Sequence, residues 1–152
     1  MRGALGVGAG CRVLIVCVGN VCRSPMAAAL WRRRFAGRGT LVQTAGLGAL
    51  IGRPIDPLAE ALLAEHGLSG RPHAAHQLTS AFIDAADCVL VMERAHIAAV
   101  HALADGAEGK TWLLTRWSGE GDIADPYRQP RPAFASAYAD IDRAVDGWAA
   151  LA

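Results

Sequence analysis

The feature that most constrains the fold of this chain is a short apolar run at residues 13–16, which leads through a loop into a helix start at Ser24-Pro25. A run rich in β-branched residues favours a buried strand, and proline suits the first turn of a helix. The loop carries Cys17 and Arg23 in a Cys-x5-Arg spacing. This stretch therefore predicts a strand–loop–helix unit with a thiol and a cation at the carboxyl end of the strand.

The rest of the chain alternates between strand-like and helix-like patterns. The predicted strands are residues 12–16, 41–44, 88–92 and 111–114, and the predicted helices are residues 25–35, 57–66 and 97–103. A long C-terminal helix follows from an apolar stripe at three- or four-residue spacing, formed by Phe134, Tyr138, Ile141, Val145 and Trp148. The alternation predicts an α/β fold of three layers, a central four-stranded parallel sheet with helices on both faces, in a flavodoxin-like arrangement.

Length and composition predict one soluble domain. The chain has 152 residues and a net charge of +1, and it shows no extended basic patch, which argues against nucleic-acid binding. No apolar stretch is long enough to span a bilayer, so we expect no membrane insertion. Residues 1–10 are expected to form a flexible leader and residues 11–152 the domain. Four cysteines without a disulfide-scaffold pattern indicate a cytoplasmic location.

The loop after the first strand has the chemistry of an anion site. Gly19 and Asn20 suit a tightly curled backbone, whose N–H groups would point inward together with those of the helix N-terminus. Arg23 offers a planar fork that binds two phosphate oxygens. Thiols near a helix N-terminus and a cation ionise readily, so Cys17 is predicted to be a thiolate. It would attack phosphorus in line and form a cysteinyl-phosphate.

Other interpretations of the loop are weaker. Cys11, Cys88 and the five histidines provide no second ligand pair at zinc-finger spacing, so no metal is predicted. The loop lacks the Gly-Lys-Ser/Thr ending of a nucleotide P-loop, so no nucleotide cofactor is predicted either. A purely structural role for the two cysteines would not explain why Asn, Arg, Ser and Pro follow in this order.

Two separated motifs resemble those of the low-molecular-weight protein tyrosine phosphatase family. The segment Cys17-Val18-Gly19-Asn20-Val21-Cys22-Arg23-Ser24-Pro25 is similar to the family's signature, and Asp125-Pro126-Tyr127 is similar to its general-acid loop. Thr44-Ala45-Gly46, Glu65-His66-Gly67-Leu68 and the segment 91–97 look most like the bacterial branch found with capsule and exopolysaccharide tyrosine autokinases. The resemblance implies an enzyme that hydrolyses phosphotyrosine without a cofactor.

The resemblance also implies roles for individual residues. Cys17 would be the nucleophile, Arg23 the phosphate clamp and Asp125 the general acid and base, on a loop that Pro126 stiffens. The phosphate and substrate would be bound by residues of the loop and by an apolar wall: Val18, Gly19, Asn20, Val21, Cys22, Ser24, Tyr127 and either Leu47 or Leu50. A polar network of Asn20, Ser24, Thr44 and His73 would hold the loop in its curl.

The same resemblance extends to regulation and partners. Spacing and family similarity suggest that Cys17 and Cys22 form a disulfide under oxidants, which would protect the nucleophile. The implied partner is a phosphotyrosine protein, a bacterial tyrosine autokinase with its phosphorylated tail, and phosphate or other oxyanions would inhibit competitively. Two alternatives remain open: an arsenate reductase of the same fold, which would need a further cysteine pair, and a redox-sensing phosphate-binding module.

Overall fold

Four parallel strands form the central sheet of residues 7–151, the part of the chain that the structure, a computed structural model, describes. The strands lie in the order β2-β1-β3-β4. Their bounds are Arg12–Cys17 for β1, Leu41–Gly46 for β2, Cys88–Val91 for β3 and Thr111–Leu113 for β4. Because β1 lies between β2 and β3, the loop that follows it opens at the middle of the sheet's carboxyl edge.

Helices cover both faces of this sheet. Their bounds are Arg23–Arg34 for α1, Pro57–Glu65 for α2, Ser80–Ala85 for α3, Arg94–His101 for α4 and Arg131–Ala149 for α5, with short 3-10 turns at Ala107–Gly109 and Leu114–Trp117. Side chains alternate along β1, so that Val13 and Ile15 join the core under α1, α2 and α5. Leu14 and Val16 join a second core with residues of α3 and α4. The predicted three-layer α/β fold with a four-stranded parallel sheet is therefore confirmed.

The register places the carboxyl ends of three strands side by side. Cys17 at the end of β1 pairs with Gly46 at the end of β2, and Val16 pairs with Val91 at the end of β3. Cys88 pairs with Val13 at the opposite end of the sheet. Residues that follow β1, β2 and β3 therefore meet at one edge of the sheet, where Cys17 lies.

Element bounds differ from the sequence prediction in a few places. The helix α3 was not predicted, because it has six residues and shows no full amphipathic repeat; it begins after Thr79, whose side chain accepts a hydrogen bond from Phe82 N. Helix α4 begins at Arg94, three residues earlier than expected, and β2 continues to Gly46. The aromatic and aliphatic stripe of α5 is buried core, as predicted.

The N-terminal segment is described from residue 7 onward. Most of the predicted leader, residues 1–6, lies outside the described residues. Val7 is only 4% exposed and packs into the core, and Gly10 N donates to Gly39 O. Residues 7–10 thus pack against the domain rather than extending away from it. Within residues 7–151, no helix combines the length and the apolar character that a membrane crossing requires.

Candidate active site

The loop between β1 and α1 turns its carbonyl groups outward. Asn20 has a φ of 61°, a left-handed conformation that asparagine tolerates better than most residues. Four successive carbonyl oxygens contact donors of the surrounding protein: Val18 with Gly48 N, Gly19 with Leu50 N, Asn20 with His73 Nε2 and Val21 with Asp56 N. Among residues 7–151, the N–H groups of residues 19–22 find no protein acceptor. The loop therefore presents backbone donors to an anion on its inner side.

The close approach between the loop after β1 and the segment after β2 depends on Gly46. A Cβ atom at this position would lie 2.4 Å from Val18 O and 3.0 Å from Asn20 Cβ. No side chain can be accommodated there without moving the backbone of the first loop. The glycine at the end of β2 therefore lets the segment that follows β2 support the curl after β1.

A polar network holds this curl from behind. Asn20 Nδ2 donates to Ser24 Oγ at 2.8 Å and to Thr44 Oγ1 at 3.0 Å. Asn20 Oδ1 accepts from His76 N at 3.0 Å, and His73 Nε2 lies 2.6 Å from Asn20 O. The structure thus brings together Asn20, Ser24, Thr44 and His73, the four residues named from the sequence, and adds the backbone of His76, which the sequence did not indicate.

Cys17 lies at the bottom of the loop. The residue is only 2% exposed, and its Sγ lies 3.0 Å from Ser24 Oγ. Because Ser24 Oγ already accepts a hydrogen bond from Asn20, its own hydroxyl proton is free to be donated to the sulfur. The arrangement suits a thiolate.

Arg23 is held from the far side by a carboxylate that sequence reasoning missed. The arginine is 1% exposed, and its Nη1 donates to Glu93 Oε2 at 2.6 Å and to Ile123 O at 2.7 Å. Glu93 lies two residues after the end of β3, at the sheet edge that also carries Cys17. That position, an acidic residue just after a buried neighbouring strand, is the signal that could have identified it.

Asp125 lies on a loop distant in sequence, and its carboxylate approaches the Arg23 guanidinium. Its Oδ2 lies 3.5 Å from Arg23 Nη2, and its Oδ1 accepts a hydrogen bond from Tyr127 N at 3.1 Å. The side chain is 42% exposed, while the neighbouring Pro126 is buried. The carboxylate is therefore oriented by its own turn and remains accessible to solvent.

A cleft of about 120 Å³ opens above the loop. It is lined by Cys17, Val18, Gly19, Val21, Cys22, Arg23, Gly48, Leu50, Asp125 and Tyr127. Of the two leucines considered as wall, Leu50 lines the cleft. Leu47 does not: it packs against the core beneath α3 and α4, because its backbone is bonded to Cys17 O and Gln77 Nε2 at the end of β2. Of the two alternatives given for the wall, the cleft lining thus contains Leu50 and not Leu47.

Burial shifts the pKa values of two side chains in the site, Cys22 and His96. Burial, reinforced by the charges of Asp56, Cys17 and Asp125, raises the pKa of the Cys22 thiol far above its ordinary value, so that Cys22 is a neutral thiol. Burial lowers the pKa of His96, whose Nε2 lies 3.6 Å from Glu93 Oε2. His96 therefore favours its neutral form behind the Glu93–Arg23 pair.

A buried cysteine, backbone donors and an arginine at the carboxyl edge of a parallel sheet define a phosphate-ester site built around a cysteine nucleophile. Comparison with known proteins gives the family. Residues 12–151 match the family described as low molecular weight phosphotyrosine protein phosphatase, and the chain belongs to it.

Individual relatives agree with this membership. The low molecular weight protein-tyrosine-phosphatase Wzb of Salmonella typhimurium is 41% identical over 138 residues, which cover 91% of this chain and 91% of that protein. The structure of Vibrio vulnificus Wzb in complex with benzylphosphonate has a TM-score of 0.88 at 40% identity, covering 92% of this chain and 97% of that one. The YwlE arginine phosphatase of Geobacillus stearothermophilus has a TM-score of 0.85 at 36% identity, covering 91% of this chain and 90% of that one.

Proposed function

We propose that this protein hydrolyses phosphotyrosine in proteins through a cysteinyl-phosphate intermediate. The observation that carries the proposal is the convergence of Cys17, Arg23 and Asp125 on one small cleft with an apolar wall. In this cleft, Cys17 would face the phosphorus of an aryl phosphate, Arg23 would bind its phosphate oxygens, and Asp125 would face the leaving oxygen.

In the first step, the phosphate binds between the loop N–H groups and the Arg23 guanidinium. The Cys17 thiolate attacks phosphorus, and a sulfur–phosphorus bond forms while the bond from phosphorus to the phenolic oxygen breaks. Asp125, in its protonated form, gives its proton to the departing oxygen, so that tyrosine leaves as a neutral phenol. The backbone donors stabilise the charge on the equatorial oxygens of the transition state.

In the second step, water attacks the phosphorus of the cysteinyl-phosphate. The Asp125 carboxylate takes a proton from that water, the sulfur–phosphorus bond breaks, and Cys17 leaves as a thiolate. Inorganic phosphate is the product. Because the loop and Arg23 bind the phosphate group itself, free phosphate and other oxyanions are expected to inhibit competitively.

The wall of the cleft favours an aromatic leaving group. Val18, Val21, Leu50 and Tyr127 surround the route to Cys17, and an aryl ring can bury apolar surface against them. The short side chain of phosphoserine would place its backbone against this wall. The benzylphosphonate complex of Vibrio vulnificus Wzb, in which a benzyl group carries the phosphonate, supports this choice.

Phosphoarginine is a second candidate substrate, because an arginine phosphatase is among the similar structures. A guanidinium leaving group brings N–H donors and positive charge that need acceptors. Of the four wall side chains, Val18, Val21 and Leu50 offer none and Tyr127 offers only a neutral hydroxyl, while Asp125 is the one carboxylate among the lining residues. This composition supports phosphotyrosine over phosphoarginine.

Arsenate reduction is disfavoured by the positions of the other cysteines. Cys88 pairs with Val13 at the start of β1, four residues before Cys17, which is about 13 Å along the strand at the usual rise per residue. Cys11 precedes β1 at the same end. Neither thiol can relay electrons to Cys17 without unfolding the sheet.

Oxidative protection through Cys22 is part of the proposal. A peroxide would oxidise the Cys17 thiolate to a sulfenic acid. The Cys22 thiol would then attack the Cys17 sulfur and lose its proton to the departing hydroxyl group, so that the disulfide forms and water is released. Both cysteines line the same cleft and both are reduced in this structure. An external thiol would restore the two free thiols by exchange.

The physiological substrate we infer is a bacterial tyrosine autokinase of capsule or exopolysaccharide production, and the location we infer is the cytoplasm. The support is the similarity of the motifs to that bacterial branch and the 41% identity to Salmonella typhimurium Wzb. The phosphorylated tail of such a kinase would present phosphotyrosine in an exposed chain segment.

The test is steady-state hydrolysis of three matched peptides that carry phosphotyrosine, phosphoserine or phosphoarginine at the same position. We expect wild type to cleave the phosphotyrosine peptide, Cys17→Ser to be inactive, and Asp125→Asn to lose roughly 10²- to 10⁴-fold in kcat, the usual contribution of general acid–base catalysis. Preferential cleavage of phosphoarginine would replace the proposed substrate. Binding of phosphate without hydrolysis of any peptide would replace the proposed enzyme by a binding module.

A further inference from the structure

A second depression adjoins the cleft on its outer side. It has a volume of about 240 Å³ and shares Val21, Leu50 and Tyr127 with the catalytic cleft. Its remaining wall includes two arginines, Arg53 and Arg71. A peptide whose phosphorylated side chain enters the cleft can therefore place a neighbouring residue in this depression.

No carboxylate of the described residues forms an ion pair with either of the two arginines. Within residues 7–151, neither the Arg53 nor the Arg71 side chain forms an ion pair or a hydrogen bond, whereas Arg34 and Arg131 are bonded to carboxylates at 2.7 Å and 2.6 Å. An unpaired guanidinium beside a binding cleft is a ready partner for a carboxylate or a phosphate.

The nearby carboxylates are already engaged. Asp56 is the one acidic residue among those lining the depression, and its Oδ1 accepts a hydrogen bond from Leu58 N at the start of α2. Glu60, further along α2, accepts from Ser69 Oγ and from Gly70 N, both at 2.7 Å. Neither carboxylate forms an ion pair with Arg53 or Arg71, although the positive charge of Arg71 helps to lower the pKa of Glu60. The side chains that line the depression, Arg53, Arg71 and Asp56 among them, carry more positive than negative charge.

A third cation, Arg128, lies next to Tyr127, which lines both the cleft and the depression. The Arg128 guanidinium lies 5.5 Å from the centre of the Tyr127 ring, and no carboxylate in the described part of the chain pairs with it. A stacked guanidinium keeps its edge donors available. The mouth of the cleft is thus bordered by positive charge next to Tyr127 as well as in the depression.

We propose that this depression is a subsite for an anionic side chain, a carboxylate or a phosphate, located one or two residues from the phosphotyrosine. The inference rests on the proposed phosphotyrosine hydrolysis. Arg53 and Arg71 bind the anion, while Val21 and Leu50 contact the apolar part of the same residue. The preferred substrates are therefore acidic or multiply phosphorylated tyrosine segments rather than isolated phosphotyrosines.

The experiment compares kcat/KM for peptides that share a central phosphotyrosine and differ only in the two residues on each side. One peptide carries Gln at these positions, a second series places one Glu, and a third places one phosphoserine. The enzymes are wild type, Arg53→Gln, Arg71→Gln, the double variant and Arg12→Gln. Arg12 is a matched control, because it begins β1 at the opposite end of the sheet.

For wild type at low ionic strength we expect one position at which Glu raises kcat/KM about three- to tenfold over Gln, the scale of one or two exposed charge pairs, with a larger gain for phosphoserine. The gain should appear in KM, decline with added salt, vanish in the double variant and persist in Arg12→Gln. The ratio of phosphoserine to Glu separates a phosphate-specific site from a general anion site.

Equal kcat/KM for all peptides with wild type, or a preference that survives in the double variant, overturns the subsite. Failure of the proposed function would look different: none of the phosphotyrosine peptides would be hydrolysed. The affinity of the Cys17→Ser variant for the same peptides, measured by calorimetry, then reports the anion preference without turnover.

Discussion

At the scale of single residues, the site is built from side chains whose partners fix their orientation. Arg23 cannot rotate freely, because Glu93 and the carbonyl of Ile123 hold one end of its guanidinium. The other end lies 3.5 Å from Asp125. Glu93 thereby limits how far the Arg23 guanidinium can turn toward Asp125, which the proposed mechanism needs as a general acid.

Glu93→Ala tests this positioning role. Without the carboxylate, Arg23 is expected to turn toward Asp125, which misplaces the phosphate clamp and engages the general acid. We expect kcat/KM for phosphotyrosine to fall about tenfold to hundredfold, the scale associated with small misplacements in active sites. Glu93→Gln should lose less, since its carbonyl oxygen can still accept from Arg23.

The matched control is Glu65→Gln, which removes a carboxylate bonded to Arg131 at 2.6 Å on the exposed surface. It should leave kcat/KM unchanged. Equal activity of Glu93→Ala and wild type would mean that Arg23 is held adequately by Ile123 alone.

At the scale of elements, two loops that follow neighbouring strands support each other. The loop after β1 has its carbonyls bonded to the segment after β2, through Gly48 N and Leu50 N. The end of β2 itself comes within contact distance of Val18 at Gly46. The segment after β2 therefore stabilises the curled backbone of the loop after β1.

Gly46→Ala tests this mutual support. Its methyl group would meet Val18 O at 2.4 Å, so the first loop must shift and its backbone donors lose their alignment. We expect the free energy of unfolding to fall by about 1–3 kcal/mol, the usual cost of overpacking, and competitive inhibition by phosphate to weaken. Chemical denaturation and inhibition assays measure the two effects.

Gly109→Ala serves as the comparison, because a Cβ atom there meets nothing within 4 Å. Its stability and its inhibition by phosphate should match wild type. If Gly46→Ala also behaves like wild type, the contact between the two loops does not shape the anion site.

Sequence patterns predicted the four longer helices and missed the shortest, α3. The stripe of α5 repeats over many turns, whereas α3 has six residues and depends on packing against the sheet. The start of α4 at Arg94 was missed because the predicted helix was assigned from its apolar residues, while Glu93 and Arg94 at the observed boundary are polar.

At the scale of the whole molecule, stability depends on pH through a buried histidine. Burial lowers the pKa of His96 below its ordinary value of 6.5. Below that pH, the unfolded chain binds a proton at His96 that the folded protein resists. The free energy of unfolding therefore decreases as pH falls below about 6.5.

His96→Gln removes this titration. We expect the unfolding free energy of wild type to decrease between pH 7 and pH 5 more steeply than that of His96→Gln, both measured by urea denaturation. Parallel pH profiles for the two proteins would show that His96 does not contribute to the dependence.

The sequence by itself determined the chemistry of the first loop and the class of fold. Cys17, Gly19, Asn20, Arg23 and Ser24 lie within eight residues of each other, so local backbone preference and side-chain type were enough to predict an anion site with a thiol and an arginine. The supporting roles of Asn20 and Ser24 were implied by the family resemblance. The alternation of strands and helices is likewise a local signal, and it led to the parallel sheet that the structure contains.

Only the tertiary structure decided which distant residues complete the site. Glu93 is 70 residues from Arg23, the carbonyl of Ile123 is 100 residues away, and Leu50 rather than Leu47 faces the cleft. Periodic patterns report which side of its own element a residue occupies, but they carry no information on which other element packs against it. The packing of β3 beside β1, and of the Asp125 loop over both, supplies that information, because it settles where the loops at the carboxyl edge meet.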